Sequence, residues 1–306
     1  MHMIDLGNRA TSLALAAFIA VGCGDSGAPS SPVDPIPATP TPPADPAPDS
    51  RDKIAFFGIA GDLAGLHLIN ADGSGAVTVA SPGWSPAWSP DGTKLAFSTT
   101  QCETDWDSYY RCERGGLVIM DLATRQTTSP TDGAIGEDPA WSPGGDLIAF
   151  VRYDEGKGRR LFVMRPDGSE LRVIATPGHP EVFEPAWSPD GRRLAYTNLF
   201  SGIWVINIDG TGFANLAAGN SPSWSRDGTR IAFATGSGGK AIIATMAPDG
   251  SGLVELAEGR GPAWSPDGAQ LAFSRNNEGL FTMSRDGSNL KQITRGIHNN
   301  PAWKPR

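Results

Sequence analysis

The sequence predicts an all-β protein, a six-bladed β-propeller built from four-stranded blades. Two observations support this prediction: a tryptophan-centred motif that recurs six times, and two chain ends that complement each other. A third is the regular spacing of short apolar runs between Pro, Asp and Gly turn signals, which is typical of many short strands rather than of helices.

Each copy of the motif begins with Pro-Ala-Trp or Pro-Ser-Trp, and five of the six copies continue with Ser and a turn that ends in Gly. The copies begin 37 to 53 residues apart, at Pro86, Pro139, Pro185, Pro222, Pro262 and Pro301. Four strands in a period of about 40 residues are typical of a propeller blade.

The residues after each motif predict the order of strands within a blade. Pro-Asp-Gly favours a tight turn, because Pro fixes φ and Gly accepts a positive φ. An apolar triplet follows, as at 95–97 and 271–273, and its lack of polar residues indicates a strand covered on both faces. A third strand, such as 161–164, and a second turn that is often Asp-Gly-Ser lead to the fourth strand.

The chain ends predict how the ring closes. Trp303 has no apolar triplet after it, whereas the triplet at 54–56 has no tryptophan motif before it. Residues 301–306 and 51–85 together make 41 residues, the length of one blade. We therefore expect the C-terminal strand (301–306) to pair with the N-terminal blade strands (51–85), which leaves no open sheet edge.

The motif Pro-Ala-Trp-Ser-Pro-Asp-Gly, with its Leu-Ala-Phe triplet and downstream Asp-Gly-Ser turn, resembles the TolB-type repeat, a WD-like propeller unit. The resemblance covers nearly all of residues 51–306. TolB proper carries an extra α/β domain ahead of its propeller, and prolyl-oligopeptidase-type enzymes with a similar repeat carry a hydrolase domain. Neither domain has a counterpart in this sequence, and no Gly-x-Ser-x-Gly motif occurs in it. Because one fold serves many functions, the resemblance implies the fold more strongly than the activity.

The first fifty residues divide into a predicted signal and a predicted tether. Residues 1–22 contain one Arg and an apolar run too short to span a bilayer, which is typical of a secretory signal peptide. Cys23 follows three small residues in a pattern that resembles the lipobox of bacterial lipoproteins, although Ala20 stands where Leu is usual. We expect lipidation of Cys23, with an ordinary cleaved signal as the alternative. The Pro-rich segment 23–50 is an extended tether, and 51–306 is the propeller.

The acidic composition disfavours a nucleic-acid partner. The chain has 25 Lys and Arg residues against 33 Asp and Glu residues, a net charge of −8, so it offers little basic surface for phosphates. Its hydrophobic content of 39% is sufficient for a folded core.

Candidate binding residues lie where the chain departs from the repeat, because the loops of a repeat scaffold more often carry function. The segment 100–116 contains Cys102 and Cys112, which we expect to form a disulfide in an oxidising envelope; a zinc site is the alternative. The same segment contains Trp106, Tyr109 and Tyr110, which either contact a partner or pack on the adjoining blade.

A second candidate site is the mouth of the central channel. The residues just before each motif proline should surround it: Ser85, Asp138, Glu184, Ser221, Gly261 and Asn300. Asp138 and Glu184 are candidate ligands for a divalent cation, and His179 and His298 occupy similar loops. The alternative for all of these is an ordinary solvated loop residue.

These features predict an envelope-anchored, non-enzymatic binding scaffold whose elaborated face binds a protein, peptide or glycan. The alternative is a lyase- or lactonase-like propeller enzyme with a metal-assisted site at the channel mouth. We expect a monomer without a cofactor, anchored by its N-terminal lipid on the extracytoplasmic side, in the periplasm or at the outer membrane.

Overall fold

The computed structural model describes residues 52–306, apart from 61–62, 100, 106–107, 115, 132–133, 155, 175–180, 201 and 237–239. The predicted signal peptide (1–22) and tether (23–50) therefore lie outside the described residues. The regular elements of the described part are β-strands. Within that part, no helix is long and apolar enough to cross a membrane.

In chain order, the first strands are three strands of the closing blade, and the strands of blades 1, 2 and 3 follow. The chain starts with β1 (Lys53–Ala60), β2 (Leu63–Asn70) and β3 (Val77–Ala80). Blade 1 and its insertion comprise β4 (Trp84–Trp88), β5 (Lys94–Ser98), β6 (Gln101–Asp105), β7 (Ser108–Arg114), β8 (Leu117–Asp121) and β9 (Thr127–Thr128). Blade 2 comprises β10 (Glu137–Trp141), β11 (Ile148–Asp154), β12 (Gly158–Met164) and β13 (Arg172–Val173). Blade 3 comprises β14 (Val182–Trp187), β15 (Arg193–Asn198), β16 (Gly202–Asn207) and β17 (Ala214–Ala217).

The remaining strands complete the ring. Blade 4 comprises β18 (Asn220–Trp224), β19 (Ile231–Thr235), β20 (Ile242–Met246) and β21 (Val254–Glu258). Blade 5 comprises β22 (Arg260–Trp264), β23 (Gln270–Arg275), β24 (Gly279–Ser284) and β25 (Lys291–Gln292). The last strand, β26 (His298–Trp303), pairs antiparallel with β1, and the sheet β26-β1-β2-β3 is the closing blade. The six four-stranded blades and the predicted closure are both confirmed.

The insertion in blade 1 differs from the irregular loop expected for 100–116. Strands β6 and β7 form a separate two-stranded antiparallel sheet between β5 and β8. The backbone of Cys102 lies directly opposite that of Cys112 in this pairing. An antiparallel hairpin is favoured because its strands close locally, so its backbone groups can pair at little cost in loop entropy.

The hydrophobic core lies between blades and follows one rule at every seam. The large residues of one apolar triplet pack against the central alanine of the preceding blade, as Leu95 and Phe97 of blade 1 do around Ala55 of the closing blade. Ala96, the central alanine of blade 1, in turn packs in the buried cluster that contains Ile148 of blade 2. The alanine is small because the next blade fills the space above it, and each buried Leu, Ile or Phe contributes roughly 1.5–3 kcal/mol.

The Ser and Asp of the motif build the turn after the inner strand in four blades, and in blade 2 Ser142 donates to Asp146 instead. In blade 1, Ser89 Oγ donates to Asp91 Oδ1 (2.6 Å) and accepts from the backbone N–H of Lys94 (2.9 Å). The backbone N–H of Thr93 donates to the same carboxylate oxygen (3.0 Å). A buried hydroxyl needs such partners, so this network explains why Ser accompanies Trp in the motif.

Deleting residues 301–306 should open the ring and lower the melting temperature. The deletion removes the pairing of Trp303 with Ile54 and the hydrogen bond from Trp303 Nε1 to the carbonyl of Ala263 (3.1 Å). Truncation of a buried Trp alone costs about 3–5 kcal/mol. Differential scanning fluorimetry and size-exclusion chromatography measure the effect.

Deletion of 304–306 alone is the matched control. It leaves β26 intact and removes the exposed ion pairs of Arg306 with Asp52 and Asp267, worth about 0–1 kcal/mol each, together with one backbone hydrogen bond from Lys304 to Lys53 (2.8 Å). If both truncated proteins melted alike and stayed monomeric, the closing role of β26 would be wrong.

Candidate functional site

Six residues, each just before a motif proline, line a cavity of about 160 Å³ that we call the channel mouth. They are Ser85, Asp138, Glu184, Ser221, Gly261 and Asn300. Each comes from the inner strand of a different blade. The structure therefore places these residues together, as the sequence led us to expect, while their role in binding stays a prediction.

A bulge in every inner strand shapes the mouth. The pairing register between the first and second strands of each blade shifts at this point. Proline has no N–H to give to the ladder and is tolerated at such bulges. All six mouth residues have φ between 48° and 56°. This left-handed conformation costs a non-glycine residue roughly 1–2 kcal/mol, so the surrounding structure must impose it. Strained backbone of this kind clusters at functional sites.

Hydrogen bonds link five of the six mouth residues and converge on two carboxylates. Asn300 Nδ2 donates to Ser85 Oγ (3.2 Å), which donates to Asp138 Oδ1 (2.7 Å). From the other side, Ser221 donates to Glu184 through its hydroxyl (2.8 Å) and through its backbone N–H (2.8 Å). The backbone N–H of Glu184 donates to Asp138 Oδ2 (3.2 Å). The sixth position, on blade 5, is a glycine and contributes no side chain.

Burial raises the pKa of both mouth carboxyl groups. For Asp138, hydrogen bonds from Ser85 and from the backbone of Glu184 oppose this effect. For Glu184, the neighbouring charge of Asp138 raises the pKa further, against hydrogen bonds from Ser221 and Thr197. The Thr197 hydroxyl lies 2.9 Å from Glu184 Oε2. Two carboxyl groups close together in a partly buried site are expected to hold protons more tightly than exposed ones.

Arg159 ties the mouth to the seam between blades 2 and 3. Its Nε lies 3.2 Å from Glu137 Oε2, and its Nη1 lies 3.4 Å from Glu181 Oε2. The guanidinium also lies 5.2 Å from the centroid of the Phe183 ring. Burial raises the pKa of Glu137, and the charge of Arg159 opposes that rise. Because Glu137 directly precedes Asp138, this ion pair holds the inner strand of blade 2 beside the mouth.

An apolar turn lies against the same seam. The turn between β15 and β16 exposes Leu199 (59%) and Phe200 (76%), and the backbone N–H of Leu199 donates to the carbonyl of Glu181 (3.0 Å). Tyr153 is 54% exposed and lies opposite Arg159 in the pairing of β11 with β12. We call Tyr153, Arg159, Glu181, Leu199 and Phe200 the blade 2–3 rim. Its members are linked by the Arg159–Glu181 ion pair, by the hydrogen bond from Leu199 to Glu181 and by the strand pairing of Tyr153 with Arg159.

None of the five rim residues was among the candidate site residues predicted from the sequence. The apolar pair Leu199 and Phe200 could have been recognised from the sequence as a candidate contact, because two large apolar residues are unusual in a tight turn. The corresponding turn of blade 5 is the polar Asn276-Asn277-Glu278. Arg159 and Glu181 lie in the irregular segments 153–159 and 176–184 of the sequence, but their pairing depends on how two blades pack.

Another candidate, His298, does not line the mouth. His298 begins β26, meets Phe56 edge-on at 4.9 Å and bonds through Nδ1 to Thr294 Oγ1 (2.6 Å). Burial, and to a lesser degree nearby His67, lowers the pKa of His298. Its contacts therefore belong to the packing of the closing blade.

The remaining candidate residues are only partly described. Tyr109 and Tyr110 lie on β7 with Cys112, and Cys102 lies on β6, but the side chains of this hairpin are outside the described part. Trp106, His179 and Cys23 lie outside the described residues altogether.

The mouth carboxylates are already engaged by protein donors. Among the residues that the structure describes, no group of three or more His, Cys, Asp and Glu residues is placed to hold a metal ion. A divalent cation at Asp138 and Glu184 would have to displace or share the hydrogen bonds of Ser85, Ser221 and Thr197. A bound cation stays a prediction.

The raised carboxyl pKa values predict an unusual pH dependence of stability. The native state binds more protons than the unfolded chain between the ordinary carboxyl pKa of about 4 and the raised folded value, so the free energy of unfolding falls as pH rises through that window. The double variant Asp138→Asn, Glu184→Gln has no titrating carboxyl group at these two positions, so its free energy of unfolding should not fall for this reason. Urea unfolding from pH 4 upwards should show the variant gaining stability relative to the unmodified protein as pH rises.

Asp227→Asn is the control of opposite sign. The Ser225 hydroxyl lowers the pKa of Asp227 to about 2. The ionised Asp227 therefore adds to the free energy of unfolding above the ordinary carboxyl pKa, and this contribution is lost as pH falls. A stability difference for the double variant that stayed constant with pH would contradict the raised pKa values.

Comparison with known proteins identifies the family. The model of the TolB beta propeller domain matches residues 51–306. The chain is 32% identical over 136 residues to "Uncharacterized peptidase YuxL" of Bacillus subtilis and 30% identical over 131 residues to "Protein TolB homolog" of Chlorobium luteolum. Each match covers 42% of this chain, but the matched parts are only 19% and 27% of those two proteins.

A solved structure supports the same fold. TolB from Acinetobacter baumannii superposes with a TM-score of 0.70 and 24% identity, covering 85% of this chain and 68% of that one. The family match spans all six copies of the motif. This chain therefore belongs to the TolB beta propeller domain family.

Proposed function

We propose that this protein is an envelope-anchored, non-enzymatic scaffold that binds a partner protein or peptide at the channel mouth and the blade 2–3 rim. One observation carries the proposal: exposed apolar side chains lie on a turn bonded to Glu181, and Arg159 joins Glu181 to Glu137, the residue next to Asp138 of the mouth. Solvent-exposed Phe200 and Leu199 sit on a turn that is hydrogen-bonded to the seam containing Arg159. Exposed apolar anchors beside charged groups are typical of interaction sites.

The charge of the surface indicates the chemistry of the partner. The residues that line the mouth include two carboxyl groups, Asp138 and Glu184, and no basic side chain, while Arg159 is already paired with Glu137 and Glu181. Electrostatic complementarity therefore favours a segment that carries Lys or Arg, with an aromatic or aliphatic side chain to cover Leu199 and Phe200. A glycan, which the sequence also allowed, would make less use of the exposed apolar turn.

The family supports a binding role, and one relative is itself called a TolB homolog. Another relative is called a peptidase, but the matched segment is 19% of its length, so its activity is not transferred to this chain. The metal-assisted lyase or lactonase alternative has no three-residue ligand group in the described part of the chain to favour it.

The N-terminal sequence supports envelope anchoring. A signal-like run followed by Cys23 is typical of a lipoprotein, and the Pro-rich segment after it would hold the propeller away from the membrane. An oxidising envelope would also favour a Cys102–Cys112 disulfide. The two residues face each other in the β6–β7 pairing, where the Cα separation of about 4.5–5.5 Å suits a disulfide.

The variant Leu199→Ser, Phe200→Ser should weaken partner binding by about tenfold or more, because apolar anchors dominate such interfaces. A random-peptide phage library selected on the unmodified protein supplies the probes. Synthetic copies of the enriched peptides are then titrated by calorimetry. We expect enriched peptides to combine Lys or Arg with an aromatic or aliphatic residue.

Leu253→Ser, Leu290→Ser is the matched control. These leucines are similarly exposed, 49% and 47%, but lie at the turns before the outer strands of blades 4 and 5. Enriched peptides that bound both variants equally well, or that carried acidic rather than basic residues, would exclude the proposed surface.

Cys23→Ala should move the protein from the membrane fraction to the soluble fraction of a bacterial host, since it removes the proposed acylation site. Cys102→Ser, Cys112→Ser is the control and should stay in the membrane fraction. In the soluble Cys23→Ala protein, reduction should add the mass of two hydrogen atoms if the hairpin disulfide is present. Membrane retention of Cys23→Ala after high-salt washing would contradict the lipid anchor.

A further inference from the structure

A polar cleft of about 420 Å³ opens at the seam between blade 5 and the closing blade. This volume lies within the range of about 300–1,000 Å³ typical of small-molecule sites. Its polar lining includes Asp52, Asn70 and Asp72 from one side and Gln270, Asn289 and Lys291 from the other. These residues flank the turns before β3 and β25, at the ends of the blades away from the mouth. The cleft is therefore separate from the surface proposed above.

The side chains at two positions explain why the seam is open here. At the seam between blades 2 and 3, Ile208 and Leu147 occupy the corresponding positions, and both pack against the hydrophobic core. At the present seam the closing blade has Ala71 and blade 5 has Gln270, which lines the cleft. The small Ala71 and the exposed, polar Gln270 leave space that Ile208 and Leu147 fill between blades 2 and 3.

The lining supplies neighbouring donors and acceptors. Asn70 is 7% exposed, and its Nδ2 donates to Ser74 Oγ (3.0 Å). Asn289 Nδ2 donates to Ser284 Oγ (3.0 Å). The hydroxyl and backbone N–H of Ser74 lower the pKa of Asp72, so its carboxylate is an acceptor at neutral pH. Carboxamides offer a donor and an acceptor side by side, which matches the vicinal hydroxyl groups of a sugar ring.

The charges of the cleft select among polar ligands. Lys291 Nζ donates to the backbone carbonyl of Asp72 (3.3 Å), and Arg306 Nη2 lies 3.4 Å from Asp52 Oδ1, so two cationic groups balance the two carboxylates. A charged ligand therefore gains no net electrostatic complementarity. An apolar ligand would remove the exposed carboxamide of Gln270 and the exposed carboxylate of Asp72 from water without giving them a new partner. We propose that the cleft binds a neutral carbohydrate.

Saturation-transfer NMR on the full-length protein tests this proposal, with glucose, galactose, mannose and N-acetylglucosamine as separate probes at millimolar concentration. At least one sugar should receive saturation from the protein. Ala71→Ile should weaken that sugar's binding by about tenfold or more, because the added carbons occupy the cleft. Gln270→Ala should weaken it by about three- to tenfold through loss of one exposed carboxamide.

Ala123→Ile is the matched control, because it makes the same chemical change at an exposed turn of blade 1. It should bind the sugar as the unmodified protein does. If Ala71→Ile proves unfolded by its melting curve, Gln270→Ala decides alone. The absence of saturation transfer to all four sugars, or unchanged binding in both Gln270→Ala and a folded Ala71→Ile, would overturn the proposal.

Discussion

The pairing of β26 with β1 is the interaction on which the rest of the propeller depends. Each blade covers the central alanine of the blade before it, so the ring has no seam that can be left open without exposing apolar surface. The closing strand is held from both sides: Trp88 Nε1 donates to the carbonyl of Ala302 (3.0 Å), and Trp303 Nε1 donates to that of Ala263 (3.1 Å). In an assembly of repeats, stability comes largely from such nearest-neighbour interfaces. Closing the ring adds the last interface and removes the exposed edges.

Within the ring, the six tryptophans are equivalent in packing but not in hydrogen bonding. Trp88, Trp187 and Trp303 each donate to the inner strand of the preceding blade. The indole nitrogens of Trp141, Trp224 and Trp264 are buried without a partner among the described atoms. What the six share is a large ring packed into the seam, where the surface removed from water is substantial. The shape of the indole, more than its N–H group, explains why the motif requires Trp.

The same repeat that makes the scaffold also prepares the mouth. The motif proline interrupts the inner ladder in every blade, and the residue before it adopts a left-handed conformation that aims it at the channel. Differences between blades then decide the chemistry. Blades 2 and 3 contribute Asp138 and Glu184, whose burial is offset by hydrogen bonds from Ser85 and Ser221. The rim beside them adds apolar groups. In this view, the proposed binding surface is a local departure from an otherwise uniform ring.

The sequence by itself determined the number of blades, the strand order, the closure by the chain ends and the set of residues around the mouth. These follow from local signals, because turn residues, apolar triplets and a repeated tryptophan act over a few positions and then recur. Only the tertiary structure decided which side chains meet. Arg159 lies 22 residues from both Glu137 and Glu181, and the turn at Leu199 rests on Glu181. Asp138 and Glu184, the candidate ligands for a cation, accept hydrogen bonds from neighbouring blades. Such contacts depend on how twisted sheets pack against one another, and spacing along the chain does not encode that geometry.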